Sequence, residues 1–160
     1  LGIPEKGFKQ FLRTLTGGRI TIGALSIGTA QGAYDLALKY SNEREAFGKP
    51  INKFQSVSFK LADMATRIEA SRHLVYHAAW RKDNNLSLIK HAAIAKLFSS
   101  ETAMWVTGEA IQIFGGYGYI KEYNVERFFR DAKILEIGEG TSEIQRIIIA
   151  REILKFADTL

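Results

Sequence analysis

Three long stretches of this chain place an apolar or small residue at every third or fourth position, and that spacing decides what it can fold into. Ile20, Ala24, Ile27, Gln31, Tyr34 and Leu38 form such a line in the first stretch, about Phe8 to Tyr40. Phe54, Val57, Leu61, Met64, Ile68, Ser71, Val75 and Ala78 do so in the second, about Phe54 to Arg81. Ile89, Ala93, Leu97, Ser100, Met104, Thr107, Ile111 and Phe114 do so in the third, about Ser87 to Phe114. Residues three and four apart share one face of an α-helix, so each stretch predicts a helix with one face to bury. A second line in the first stretch, Ala24, Gly28 and Gly32, lacks bulk and lets a neighbouring helix come close. Gly17-Gly18 weakens that helix and is the place where it can kink. A last helix is expected from about Glu143 to Phe156, with Ile144, Ile148 and Leu154 facing inward. Lys82-Asp83-Asn84-Asn85 and the Gly48/Pro50 pair mark turns, and strand signals are nearly absent. Long helices joined by short turns pack against their neighbours in alternating directions. The expected fold is all-α, an antiparallel four-helix up-and-down bundle, and 160 residues suit a single domain over 1–160.

Composition narrows the function classes. Lys and Arg number 22 against 17 Asp and Glu, a net charge of +5. The basic residues are scattered without a run, which points away from nucleic acid and toward anionic small molecules. There is no cysteine, so disulfides and thiolate chemistry are excluded. No apolar run reaches the ~18 residues of a membrane span. His73 and His77 lie four apart, but no third ligand accompanies them and no metal is expected. The chain opens at Leu1-Gly2-Ile3-Pro4 without a signal peptide or an initiator Met, as a fragment would.

One stretch carries the chemistry, Glu136-Ile137-Gly138-Glu139-Gly140-Thr141-Ser142-Glu143-Ile144-Gln145-Arg146. Glycines on both sides of Glu139 permit a tight loop. Ser142 and Gln145 have the spacing of a capping box, so a helix is expected to start there. A carboxylate held on a tight loop is what a general base requires. The same pattern also describes a glycine loop with an exposed Glu. Two further stretches have structural readings of their own. Asn52 can cap the second helix with Gln55 at its N3 position. Gly115-Gly116 can cap the third, and fits neither the dinucleotide fingerprint nor the P-loop.

Ile137-Gly138-Glu139-Gly140-Thr141-Ser142-Glu143-Ile144-Gln145 resembles the signature of the acyl-CoA dehydrogenase family. Three other stretches resemble it in the right order: Leu15-Thr16-Gly17-Gly18-Arg19-Ile20, the Arg44-x-x-Phe47-Gly48 run with Phe54-Gln55, and Gln112-x-x-Gly115-Gly116-x-Gly118. A fourth, Val125 to Ile134, resembles the short helix before the family's catalytic loop, with Arg130 and Asp131 read as a structural pair. The resemblance covers almost the whole chain, but only the family's C-terminal helical domain. The N-terminal helical and middle β-domains lie outside it.

The resemblance implies that Glu139 removes the α-proton of an acyl-CoA thioester while FAD accepts the β-hydride. It implies that Arg44, Phe47, Gln55, Gln112, Ile113, Phe114, Gly115, Gly116, Thr141 and Glu143 contact FAD, several of them across a subunit boundary. Arg19, Thr16 and Gly140 would meet substrate, with Thr16 standing where the family commonly has Asp. Some members carry the base just before this Arg; here that position is Gly18. Implied partners are an electron-transfer flavoprotein and further copies of the chain, as a homodimer or homotetramer. The implied location is cytoplasmic in a bacterium and the mitochondrial matrix in a eukaryote. Two other readings share the scaffold: a non-catalytic helical oligomerisation module, and an acyl-CoA oxidase.

Overall fold

The computed structural model describes residues 2–157. Its helices are α1 (Gly7–Glu43), α2 (Gln55–Asp83), α3 (Ile89–Phe114), α4 (Val125–Ile137) and α5 (Ser142–Ala157). A two-residue-per-strand hairpin, β1 (Glu45–Ala46) and β2 (Lys49–Pro50), and a single 3₁₀ turn at Ile51–Lys53 join α1 to α2. The expected all-α architecture is present, and the short helix expected before the Glu139 loop is α4. The glycine pair does not interrupt α1, which runs unbroken through Gly17 and Gly18.

α3 organises the bundle because it packs against all four other helices. It is buried on most sides, through Ala92, Ala93, Ala95, Lys96, Ser99, Ser100, Thr102, Ala103, Val106, Thr107 and Ala110. Small residues all round a helix let four neighbours approach it at once. α2 buries the face that its periodicity predicts: Leu61, Met64, Ile68, Ser71, Val75 and Ala78.

α1 departs from expectation. Its buried face is Gly23, Ser26, Ala30, Ala33, Ala37 and Ser41, beside Arg19 and Ile20. Of the predicted stripe, Ile20 is buried, Ile27, Gln31 and Tyr34 are half-buried, with Ile27 and Tyr34 packed on the core, and Ala24 and Leu38 are exposed. Of the small-residue line, Gly32 seats the Phe128 ring of α4, while Gly28 faces open space. Close packing against α3 selects small side chains at the contact itself, and Ile22, Ile27, Tyr34 and Leu36 flank it half-buried against the core. α5 departs likewise. Ile144 and Leu154 are exposed rather than inward, Ile148 is half-buried, and the helix buries Ser142 and Gln145 instead. The expected Arg130–Asp131 pair is not formed; Arg130 pairs with Glu126 and Arg127 with Asp131, each one helical turn apart.

Candidate functional site

α4 ends at Ile137, and the chain then reverses sharply into α5. Gly138 stays at φ −58, while Glu139 takes φ +57 and Gly140 φ +96. A left-handed φ on a residue with a β-carbon costs about 1–3 kcal/mol, so its surroundings must impose it. Two buried side chains grip this loop. The Lys96 ammonium donates to the carbonyls of Glu136, at 3.0 Å, and Gly140, at 2.8 Å. The Gln145 amide donates to the carbonyls of Glu139, at 3.2 Å, and Gly140, at 2.8 Å.

The cap of α5 sits one residue earlier than expected. The Ile144 N–H donates to the Thr141 hydroxyl at 3.4 Å, and the Ser142 hydroxyl is buried without a partner. Gln145, expected to complete a capping box, turns into the loop instead. Glu143 is exposed; its carboxyl is held below its usual range by its own backbone N–H and then by the Thr141 hydroxyl.

The Glu139 side chain lies over α1 at Gly18. A β-carbon on Gly18 would stand 2.5 Å from Oε2 and 2.7 Å from the carboxyl carbon of Glu139. The carboxylate therefore occupies the space that the glycine leaves. Arg19 follows on the same helix and is 5% exposed. Burial lowers its guanidinium pKa, and the Glu139 charge partly offsets this. Its Nε has no hydrogen-bond partner. Thr16, one turn earlier, bonds the Leu12 carbonyl at 2.9 Å and lines an apolar cavity of about 570 Å³ with Leu12, Leu88 and Ile89. Arg19, Glu139 and Gly140 thus meet where α1 faces the loop, with Thr16 one turn away; Thr141 and Glu143 line a different surface pocket with Glu101, Lys133 and Arg146.

A second group forms at the other end of α1. Arg44 caps α1 and lies 5.8 Å from the Tyr117 ring centroid. Phe47, at φ +51, and Gly48, at φ +76, form the hairpin tip, a two-residue turn with positive φ at both positions. That tip leaves Phe47 96% exposed. Gln55 is exposed as the first residue of α2, whose cap is Phe54, not Asn52. The Asn52 amide is bonded to Asn42 instead. Gly115 ends α3 at φ +62 and ψ −137, a backbone conformation open to glycine and strained for other residues. Gly115, Gly116, Arg44, Tyr40 and Tyr117 line a groove of about 500 Å³. Gln112 is exposed. The side chains of Ile113 and Phe114 are buried, Phe114 stacking on Tyr40 with centroids 4.1 Å apart. The 25 positions from Arg19 to Arg44, at ~1.5 Å each, separate the two groups by ~37 Å along α1.

Lys96 and the inward role of Gln145 were not foreseen. The legible signal for Lys96 is one lysine inside the otherwise apolar run from Ala92 to Phe98. His73 lies 3.2 Å from Glu69, and His77 stacks on Trp80 and meets His91 edge-on. Among the described residues no cluster of three metal-ligating side chains occurs, and no helix is long and apolar enough to cross a membrane.

The profile of the acyl-CoA dehydrogenase C-terminal domain matches residues 5–154. A probable acyl-CoA dehydrogenase, YngJ, of Bacillus subtilis (strain 168) is 61% identical over 155 residues, which are 97% of this chain and 41% of that protein. The mitochondrial short-chain specific acyl-CoA dehydrogenase of Bos taurus is 51% identical over 97% of this chain and 38% of that protein. The solved structure of butyryl-CoA dehydrogenase from Megasphaera elsdenii superposes with a TM-score of 0.95 at 52% identity, covering 96% of this chain and 40% of that one. The chain spans about two fifths of the length of these relatives. With the helical scaffold, the clamped Glu139 loop and these matches taken together, the chain belongs to the acyl-CoA dehydrogenase family, in the part that forms its C-terminal domain.

Proposed function

We propose that this chain is the C-terminal domain of an FAD-dependent acyl-CoA dehydrogenase, in which Glu139 is the base that takes the α-proton of an acyl-CoA thioester. The observation that carries this reading is the seat of the Glu139 carboxylate. It rests in the gap over Gly18, on a loop clamped from below, and its φ of +57 is imposed by that clamp. A base so held meets substrate with little reorganisation. The buried Arg19 guanidinium beside it adds positive potential where negative charge develops on the thioester carbonyl, and the Glu139 backbone N–H is the proposed donor to that oxygen. Thr16 and its apolar cavity are read as part of the acyl surface.

The second group fits FAD. A guanidinium matches a pyrophosphate in charge and shape, and Arg44 opens onto a groove whose floor is Gly115 and Gly116. A β-carbon at either glycine would meet nothing within 4 Å, so that floor lies open to a ligand. Phe47 offers an exposed ring, Gln55 and Gln112 exposed amides, and Ile113 and Phe114 only backbone. Bound FAD would supply the hydride acceptor. The ~37 Å between the groups exceeds the reach of one flavin, which supports the reading that Arg44, Phe47, Gln55 and Gln112 to Gly116 serve a flavin bound to a partner subunit, with Thr141 and Glu143 serving the chain's own. An apolar groove of about 980 Å³ between α3 and α4, lined by Met104, Ile111, Tyr119 and Phe129, supports self-association as a homodimer or homotetramer. Phe8, Phe11, Leu12 and Leu25, exposed on α1, support burial by further domains of the parent enzyme. Reoxidation by an electron-transfer flavoprotein, and a cytoplasmic or mitochondrial-matrix location, complete the reading.

The test is Glu139→Gln in the full-length enzyme. The variant is expected to bind FAD and acyl-CoA but not to bleach the flavin. Near-normal bleaching would refute Glu139 as the base.

A further inference from the structure

Lys96 is among the largest fully buried side chains in the protein, yet no acidic side chain holds it. Its ammonium makes no ion pair within 4 Å among the described residues; its partners are the carbonyls of Glu136 and Gly140. Burial lowers its pKa, the Glu136 charge partly restores it, and Arg19 lowers it further. A buried ammonium is expensive to keep, and a methionine would fill the same volume without that cost. The two carbonyls it chooses explain where the lysine is needed. Glu136 lies in the last turn of α4, where carbonyls have no partner within the helix. Gly140 directly follows Glu139. The lysine thus ties together the two ends of the segment 137–139, at whose tip Glu139 is bent into the left-handed region.

We propose that Lys96 is a positioning residue, which sets the Glu139 carboxylate over Gly18 by holding the carbonyls of Glu136 and Gly140. The proposal rests on the reading of Glu139 as the base. Gln145 grips the same Gly140 carbonyl from α5, so the clamp has two jaws, one on each helix that packs under the loop. Neither side chain touches the reacting atoms; each acts through the backbone that carries the base. Lys96→Met removes the donors while keeping the bulk. It leaves the loop held by Gln145 alone, free to relax toward ordinary φ values and to swing the carboxylate away from Gly18.

The experiment compares wild type, Lys96→Met and Glu139→Gln in the full-length enzyme. Two readouts are taken: hydrogen exchange of the amides of 137–141 without substrate, and single-turnover flavin reduction beside the Kd for acyl-CoA. For Lys96→Met, loop amides are expected to exchange about tenfold faster while the α2 and α3 core is unchanged. Flavin reduction is expected to slow by about 10²-fold with Kd little altered, the signature of a misplaced group. Unchanged loop exchange or an unchanged reduction rate would overturn the proposal. If Glu139→Gln reduces flavin normally, the base reading fails whatever Lys96→Met does; if Glu139→Gln is inactive and Lys96→Met is normal, only the positioning role fails. Should Lys96→Met not fold, Lys96→Leu, which also lacks donors, takes its place. Failure of both to fold would overturn the proposal by making Lys96 a requirement of the fold rather than of the site.

Discussion

Replacing Gly18 with alanine separates the stability of α1 from the placement of its site. Gly18 has ordinary helical φ, so alanine should gain up to ~1 kcal/mol from reduced chain entropy in the unfolded state. The added methyl meets the Glu139 carboxylate at 2.5 Å, and ordinary contact begins at 3.4 Å. The carboxylate must therefore retreat by about 0.9 Å, the difference between those two distances. It is the far end of a flexible side chain, so the retreat costs little in folding. It costs much in rate, because a displacement of about 1 Å can forfeit ~10²-fold. Gly17→Ala is the matched control. Its β-carbon meets only the Lys82 ammonium, at 3.7 Å, which is ordinary contact. Denaturant unfolding of the 160-residue chain should show both variants as stable as wild type or up to ~1 kcal/mol more so. Flavin reduction by the full-length enzyme should fall about 10²-fold for Gly18→Ala. A Gly18→Ala enzyme that reduces flavin normally would refute the claim that the carboxylate works from its seat over Gly18.

Gly23→Ala probes the close approach of α1 to α2. Its β-carbon would fall 2.8 Å from Val75 Cγ2, and valine is stiff at χ1. Overpacking should outweigh the helix-propensity gain and leave a net loss of about 1–2 kcal/mol by denaturant unfolding; a stabilised variant would contradict that packing. Arg44→Gln should leave the unfolding free energy within about 0.5 kcal/mol, since the side chain is exposed. It should weaken FAD retention in the full-length enzyme by about tenfold or more, measured by flavin titration of the apoenzyme.

The helical class, the central stripe of α2 and the turns around Gly48, Asn84 and Gly115 were legible in the sequence because each rests on local physics. A three–four spacing needs only the helix's own geometry, and a glycine cap needs only its own φ. The Glu139 loop was legible as a motif, but its conformation was not. Glycines on both sides suggest that they take the strained values, whereas Gly138 stays ordinary and Glu139 itself is bent. That outcome depends on Lys96 and Gln145, which reach the loop from α3 and α5.

The buried face of α1 was likewise settled in three dimensions. Sequence patterns weight large apolar residues, but α1 meets α3 closely enough that glycine, serine and alanine form the contact, and most of the larger residues flank it half-buried or lie exposed. The cap of α5 moved from Ser142 to Thr141 for a similar reason, since Ser142 and Gln145 are drawn into the packing under the loop. Local spacing determined which segments are helices and which carboxylate stands on a tight loop. Contacts between distant elements decided which helix faces are buried and where the carboxylate rests, and of the two side chains that hold its loop Lys96 comes from 40 or more positions away while Gln145 is turned inward from the adjoining helix. Such contacts depend on which elements the whole chain brings together, and that is information no local window contains.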